Sequence, residues 1–247
     1  MKILVLGATG ATGRLLTEQL LERGHTVRVI VRSADRLPEK VKQADKLEVI
    51  QAAVLDLTDE ELARHAADCD AVASCLGHNL SFKGIYGKPR KLVADAVRRT
   101  CEAVRANEPE KPVKFVLMNT VAVLDRDQNE THSFKEKLVF TLIRLLLPPH
   151  RDNEAALAYL KTEIGSENPV IEWSAVRPDG LIDKDEVSEY EVYPTLQQSA
   201  VFGDKKTSRI NTAHFMAELI SNPDTWAKWK GRMPVVYNTF LDKASDA

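Results

Sequence analysis

The sequence contains little cysteine and no arrangement of cysteines or histidines that would hold a metal ion. Its 247 residues include six histidines and only three cysteines, Cys69, Cys75 and Cys101. The cysteines form no Cys-x-x-Cys pair, and the histidines have no metal-ligand spacing with one another or with the cysteines. These absences exclude a zinc knuckle and a disulfide framework, and they favour a reducing compartment.

No sign of charge dominates either, because 34 basic residues stand against 36 acidic ones and the formal net charge is −2. A chain balanced in this way lacks the electrostatic pattern of a nucleic-acid-binding protein. It also lacks an apolar run of about twenty residues, the length that a membrane span requires. The first apolar run, residues 3–6, is too short for a signal peptide. We therefore expect a cytoplasmic protein that binds a small-molecule substrate, and its oligomeric state is open.

Short apolar runs alternate with segments of helical periodicity, which is the pattern of parallel βαβ units. The sequence predicts strands at 3–6, 26–31, 48–54, 71–74, 113–118, 170–176 and 233–237. It predicts helices over 15–21, over a segment that begins at the Thr58–Glu61 capping box, and over 90–106, 134–147, 150–166 and 211–221. The expected fold is α/β, a doubly wound parallel sheet in one domain over 1–247. A small C-terminal elaboration completes it, and the substrate-side elements lie mainly in 125–165 and 180–247.

A glycine-rich turn lies between the first predicted strand and the first predicted helix. It reads Gly7-Ala8-Thr9-Gly10-Ala11-Thr12-Gly13. Glycine permits a tight turn and lets backbone amides approach a pyrophosphate without a Cβ in the way. The free amides and the positive end of the helix dipole then attract the phosphates. The turn predicts a dinucleotide site formed by Gly7, Thr9, Gly10, Ala11, Thr12 and Gly13.

The Gly-x-x-Gly-x-x-Gly spacing resembles the atypical, NAD(P)-binding branch of the short-chain dehydrogenases/reductases. Further landmarks of that branch are Val31-Arg32-Ser33, Asp56-Leu57, Leu76-Gly77, Asn119-Thr120 and the segment 173–178. The segment 7–38 is most similar to the flavin reductase/biliverdin reductase-like and NmrA-like members. The resemblance implies a Rossmann-type sheet. It implies adenine contacts at Asp56 and Leu57, which are expected to close the third strand, with Asp56 as a helix cap the alternative role. Further cofactor contacts are implied at Leu76 and Gly77. It also implies that Pro178 and Gly180 pass the nicotinamide carboxamide.

The end of the second predicted strand indicates which dinucleotide binds. NAD enzymes usually place an acidic residue there for the ribose 2′-hydroxyl, whereas a 2′-phosphate needs an arginine. Arg32 occupies this position, Arg36 follows one turn later, and Arg14 follows the last glycine. Because the arginine fork suits phosphate, we expect NADP(H), although Arg32 as a solvated strand-end charge remains the alternative.

The proton-transfer dyad of the superfamily is missing, because none of the five tyrosines has a lysine four residues later. Thr120, after the fifth predicted strand, is the candidate donor to a substrate carbonyl or, alternatively, a loop cap. Its neighbour Asn119 is a candidate for the ribose or for the loop backbone. His150 and Glu154, one helical turn apart, are candidates for acid chemistry or an exposed helix start. His78 and Asn79 are further candidates at the lip of the site.

Two functions remain open, and a third is a weaker alternative. The first is hydride transfer from NADPH to a small acceptor of the flavin, quinone or carbonyl type. The second is a non-catalytic NADP(H)-sensing protein, which the missing dyad favours. Nucleotide-sugar epimerisation is the weakest, because it depends on that dyad. The apolar segment 134–147 is expected to be core or a lid over the cofactor, and a membrane-surface role is disfavoured by its few basic residues.

Overall fold

The computed structural model describes residues 1–78, 81 and 85–239. An eight-stranded sheet organises the chain, in the order β3-β2-β1-β4-β5-β6-β8-β7. Neighbouring strands are parallel except β7, which is antiparallel to β8. The strands are β1 Lys2–Leu6, β2 Thr26–Val31, β3 Leu47–Gln51, β4 Ala71–Ser74, β5 Val113–Met118, β6 Ile171–Pro178, β7 Tyr190–Tyr193 and β8 Val235–Asn238. The predicted Rossmann-type α/β fold is confirmed.

Helices cover both faces of this sheet. They are α1 Gly13–Glu22, α2 Glu39–Lys42, α3 Asp59–Ala66, α4 Leu92–Ala106, α5 Phe134–Leu146, α6 Pro148–Tyr159, α7 Arg209–Ser221 and α8 Pro223–Trp229. A π-helical turn, Leu160–Ile164, continues α6. Helices α3, α4 and α6 contribute to the core on one face, and α1, α7 and α8 to the core on the other. Within the described residues, no helix has the length and hydropathy needed to cross a bilayer.

The central strands are apolar on both sides because both sides are covered. In β1, Leu4 and Leu6 join one core while Ile3 and Val5 join the other, as the twofold alternation of a strand requires. All four side chains are fully buried. Burial of a side chain of this size contributes roughly 1.5–3 kcal/mol, so these rows hold the carboxyl edge of the sheet in place.

Several predicted boundaries are wrong. Strand β3 ends at Gln51 rather than at 54, because its partner β2 ends at Val31 and the last rung is the bond from Ala52 N to Val31 O, 2.9 Å. Strand β6 continues to Pro178 because β8 pairs with Arg177 and Pro178. The short elements α2, β7 and α8 were missed because each is too brief to show a periodicity.

A buried ion pair fixes the loop after β5 against the end of β6. Arg177 Nη1 and Nη2 donate to Glu130 Oε2 and Oε1 at 2.6 and 2.9 Å, and Arg177 Nε donates to Met233 O at 2.8 Å. Glu130 also accepts from the amides of Asp125 and Leu196. Burial opposes ionisation of Glu130, but the bonds and charge of Arg177 outweigh it and hold the pKa of this carboxyl below its usual range.

Candidate functional site

The phosphate turn needs glycine at two positions for reasons of space. Gly7 has φ +82°, and a Cβ built on it would lie 2.7 Å from the carbonyl carbon and oxygen of Cys75, at the end of β4. A Cβ on Gly13 would lie 2.1 Å from Gly7 O. A Cβ on Gly10 would be tight but not impossible, 3.2 Å from the same oxygen. The turn is therefore packed directly against β4, and α1 begins immediately beside it.

Backbone donors in this turn are available for an anion. Gly10 N donates to Gly7 O at 2.9 Å, and Arg14 N donates to Gly10 O at 3.0 Å. Within the described residues, the amides of Ala11, Thr12 and Gly13 have no protein acceptor. Thr12 is the N-cap residue of α1 but makes no side-chain capping bond, and no acidic residue lies in the first turn. Free amides at the positive end of a helix suit a pyrophosphate.

Three arginines surround the same region without ionic partners. Arg32 directly follows β2, Arg36 ends a short 3₁₀ turn, and Arg14 lies in the first turn of α1. Their side chains are exposed, and none pairs with a carboxylate in the part of the chain that the structure describes. The positive charge beside the predicted ribose site is thus unneutralised by the protein.

The segment expected to meet adenine lies outside β3, which corrects the prediction that Asp56 and Leu57 close that strand. Both lie in the turn before α3, whose cap is Thr58 rather than Asp56: Thr58 Oγ1 accepts from Glu61 N at 3.2 Å, and Glu61 Oε2 accepts from Thr58 N at 2.8 Å. Arg99 of α4 holds this turn, donating to the carbonyl oxygens of Val54, Leu55 and Leu57.

A buried carboxylate that the sequence pattern does not reveal contacts His78, the residue that follows Leu76 and Gly77. Asp152 of α6 accepts from the amides of Val93 and Ala94 at 2.8 and 3.0 Å, which caps the start of α4 from another helix. Its Oδ2 is also 2.7 Å from His78 Nε2. The available signal was a charged residue on the apolar stripe of α6, in helical register with Ala156 and Leu160. Asn79, suggested together with His78, lies outside the described residues.

Asn119 and Thr120 leave the end of β5 with internal bonds already made. Asn119 Nδ2 donates to Asn153 O of α6 at 3.2 Å, and Asn119 Oδ1 accepts from Thr120 N at 2.9 Å. Thr120 Oγ1 accepts from Ala122 N at 3.3 Å. The loop-capping alternative therefore describes what Thr120 does within the protein. Its hydroxyl proton remains available for a further acceptor, because the capping bond uses only a lone pair.

The segment after β6 brings a buried acid to the same edge. Pro178 is the last residue of β6, and Gly180 has φ +39°. Between them, buried Asp179 accepts from Gln198 Nε2 at 2.8 Å. Burial raises the pKa of Asp179, with the bonds from Gln198 and the Gly180 amide acting in the opposite direction.

His150 lies in a different place from the phosphate turn. It is buried, so the alternative of an exposed helix start is wrong. Its ring stacks on Phe140, with centroids 5.8 Å apart, and Phe140 stacks on His132 at 4.1 Å. Burial lowers the pKa of His150, while Glu154, 3.5 Å away, acts against this. A cavity of about 810 Å³ between α5, α6 and the loop 122–127 includes all three rings in its lining, but not Thr120.

Helix α5 is where predicted but not in the predicted environment. Only Glu136 and Phe140 of its thirteen residues are buried. The expectation that this apolar segment is core is therefore wrong, since most of its large apolar side chains face outward.

Comparison with known proteins places this geometry in context. A family model described as NAD(P)H-binding matches residues 7–223. An uncharacterized chloroplastic protein of Arabidopsis thaliana is 27% identical over 212 residues, covering 81% of this chain and 74% of that protein. Among solved structures, a wide-type short-chain dehydrogenase/reductase from Veillonella parvula, in complex with NADP, has a TM-score of 0.69 at 16% identity, covering 95% of this chain and 93% of that one. An anaerobillin reductase from Escherichia coli has a TM-score of 0.68 at 17% identity, covering 99% and 100%.

At 16% and 17% identity, these solved structures show that the fold is shared. The family model shows in addition which family the chain belongs to. Its match includes the phosphate turn, the predicted ribose position and the ends of β4, β5 and β6. The resemblance to NAD(P)-binding reductases is confirmed at the level of family and fold. The chain belongs to the NAD(P)H-binding family.

Proposed function

We propose that this protein transfers hydride from NADPH to a small acceptor of the flavin, quinone or carbonyl type. The observation that carries the choice of NADPH is the set of unpaired arginines, Arg14, Arg32 and Arg36, beside a turn with free amides. A 2′-phosphate adds charge where these guanidiniums lie and where no acidic residue takes the ribose hydroxyl. The NADP complex of the Veillonella relative supports the same choice.

The residues present suit a bound dinucleotide. Ala11, Thr12 and Gly13 would donate to the pyrophosphate, and Gly7 lets the turn pack against Cys75 because it lacks a Cβ. Leu57 and Asp56 would lie along the adenine, held in place by Arg99. Leu76, Gly77, Asn119, Pro178 and Gly180 would lie along the nicotinamide half. These positions follow from the rule that ligands bind at the carboxyl ends of the strands.

When bound, the nicotinamide supplies the hydride, and this chain's residues then have two tasks. The first is to orient the acceptor beside the end of β5, where Thr120 would donate its hydroxyl proton to the oxygen that gains charge. The second is to deliver a proton once the hydride has arrived. His150 is the proposed second group, because its ring lines the cavity between α5 and α6 and would pass on a proton taken up from solvent.

We propose one domain over 1–247, with the acceptor contacted mainly from 125–165 and 180–247. The cavity of about 810 Å³ is lined mainly by the first of these segments, and residues 240–247 lie outside the described part of the chain. We also propose a cytoplasmic location, because the three cysteines are free and buried. Cell fractionation would test this, since the Arabidopsis relative is chloroplastic.

A non-catalytic NADP(H) sensor is the second candidate, and one observation favours it. Asn119 and Thr120 already make bonds inside the protein, and no tyrosine–lysine dyad supplements them. A sensor needs the cofactor turn but no proton donor. It would bind NADPH tightly, but no acceptor would lead to oxidation of the bound NADPH.

The experiment that tests the reductase proposal is an NADPH-oxidation screen against flavins, quinones and small carbonyls, followed by Thr120→Val. Removing one donor to a developing oxyanion costs about a hundredfold or more in turnover. We expect that loss with NADPH affinity unchanged. Thr26→Val is the matched control, because Thr26 begins β2 at the opposite edge of the sheet. No turnover by the wild-type protein with any acceptor would establish the sensor instead.

A further inference from the structure

Helix α5 presents a stripe of apolar side chains to solvent. The α5 apolar face consists of Phe134, Leu138, Leu142, Leu145 and Leu146, which are 86%, 61%, 51%, 73% and 60% exposed. At 100° per residue these five positions fall within an arc of about 120°, and they extend over about 18 Å of helix. Apolar stripes of this kind normally face the protein core. An outward-facing stripe indicates a contact surface for another molecule or for a membrane.

The orientation of α5 is fixed by its inner side. Glu136 Oε2 accepts from Ser133 N at 2.9 Å in a capping box, and Glu136 Oε1 accepts from Ser199 Oγ at 2.6 Å. Phe140, one turn along, stacks between His132 and His150. Because polar bonds and ring contacts hold the opposite side, the α5 apolar face cannot turn inward without breaking them.

A basic groove adjoins the C-terminal end of the α5 apolar face. It has a volume of about 530 Å³ and includes Arg90, Lys91, Arg144 and Arg151 in its lining, together with Leu145 of the apolar face. Leu145 therefore belongs to both surfaces and makes them continuous.

The acidic residues in this groove do not neutralise it. Asp152 is buried and is used by the amides at the start of α4 and by His78. Glu154 pairs with Arg144 at 3.0 Å. Among the described residues, no carboxylate pairs with Arg90, Lys91 or Arg151. Within the described part of the chain, the groove therefore has three positive charges without an ionic partner, those of Arg90, Lys91 and Arg151. The formal net charge of the whole chain, −2, does not reveal this local excess.

The segment 134–147 has few basic residues of its own, which disfavours a membrane-surface role in the sequence, but the fold brings Arg90, Lys91 and Arg151 beside it. We propose that the α5 apolar face and the basic groove together dock on the surface of an anionic lipid bilayer. Phenylalanine and leucine would enter the boundary between headgroups and acyl chains, and the groove would meet anionic headgroups. A helix of this length lies in the interface rather than crossing it. A second copy of this chain fits less well. In a twofold contact through this surface, the groove of one copy would face either the groove or the exposed Lys135 and Lys137 of the other, and all of these are positive.

The test is flotation of the purified protein with vesicles of phosphatidylcholine alone or with phosphatidylglycerol added. We expect binding to the anionic vesicles that weakens as salt is raised. Leu142→Ser with Leu145→Ser should abolish it. Arg90→Ala with Arg151→Ala should weaken partitioning onto the vesicles about tenfold or more, because each basic residue near an anionic surface strengthens membrane binding. Thermal unfolding would verify that each variant is folded.

Two control variants and one further measurement make the result decisive. Val49→Thr alters an exposed valine of the edge strand β3, and Arg64→Ala alters an exposed arginine in the last turn of α3; neither should change binding. Absent binding, or equal binding to both kinds of vesicle, would overturn the proposal. So would unchanged binding by the α5 double variant. A dimer in light scattering that Leu142→Ser with Leu145→Ser dissociates would identify a second copy as the occupant instead.

Discussion

Asp152 Oδ2 of α6 lies 2.7 Å from His78 Nε2, and the same carboxylate accepts the amides of Val93 and Ala94. One buried side chain thus joins the segment after β4, the start of α4 and the start of α6. These are the elements that border the nicotinamide half of the proposed site. Through this side chain, α6 anchors both neighbouring segments.

Asp152→Asn should destabilise the protein. An amide group at this position would turn its own N–H toward one of the backbone donors that the carboxylate now accepts, and a buried donor without a partner costs about 1–3 kcal/mol. For a chain of this length, a loss of that size corresponds to a fall in Tm of about 2–12 °C. Asp45→Asn, at an exposed position, should leave Tm unchanged and serves as the control. An unchanged Tm for Asp152→Asn would mean that the capping bonds contribute nothing.

The glycines of the turn should separate into two classes. Gly10→Val should remove NADPH binding while the protein stays folded, because its Cβ would be only 3.2 Å from Gly7 O and its methyl groups would extend above the free amides. Gly10→Ala should have a smaller effect of the same kind. Gly13→Ala should instead lower Tm, because its Cβ would overlap Gly7 O at 2.1 Å. Calorimetric titration and thermal unfolding of all three variants would check this, and a folded Gly10→Val that binds NADPH normally would contradict it.

The fold and the cofactor turn could be predicted because their signals are local. The apolar run of β1, Gly7 to Gly13 and the helical stripe of α1 stand next to one another in the sequence. Asp152 could not be assigned its role, because its partners are 58 to 74 residues away and depend on how α4 packs on α6. The outward face of α5 was missed for a related reason: periodicity shows that a stripe exists, but tertiary packing decides which way it points.

Lowering the pH should destabilise the protein in a window that begins near 6.5. Burial lowers the pKa values of His132 and His150 from the ordinary value of 6.5. The unfolded chain therefore takes up protons at a higher pH than the folded one, and stability rises with pH across the interval below 6.5. For His150, Glu154 opposes the shift and Arg144 adds to it.

Urea unfolding at a series of pH values between about 5 and 8 would measure this dependence. The double variant His132→Gln with His150→Gln should reduce the slope. Part of it should remain, because burial also lowers the pKa values of His25, His65 and His214. Gln at both positions cannot titrate, so a slope as steep as that of the wild-type protein would show that other groups cause it.

Arg32→Ala should reduce the preference for NADPH over NADH. Arg32 directly follows β2, is exposed, and has no carboxylate partner among the described residues, so its guanidinium is available to a 2′-phosphate. A charge-assisted bond of this kind contributes about 1.5–3 kcal/mol, which corresponds to a loss of about tenfold to a hundredfold in NADPH affinity. NADH has no 2′-phosphate, so its affinity should hardly change.

Arg36→Ala should reproduce part of the effect, and Arg32→Lys should retain the charge but lose the planar fork. Arg64→Ala, at the far end of α3, is the control and should bind both cofactors as the wild-type protein does. Calorimetry with each cofactor at low and high salt would measure the preference, which should also shrink as salt screens the exposed guanidinium. Equal affinities for NADPH and NADH in the wild-type protein would refute the assignment of the 2′-phosphate to this position.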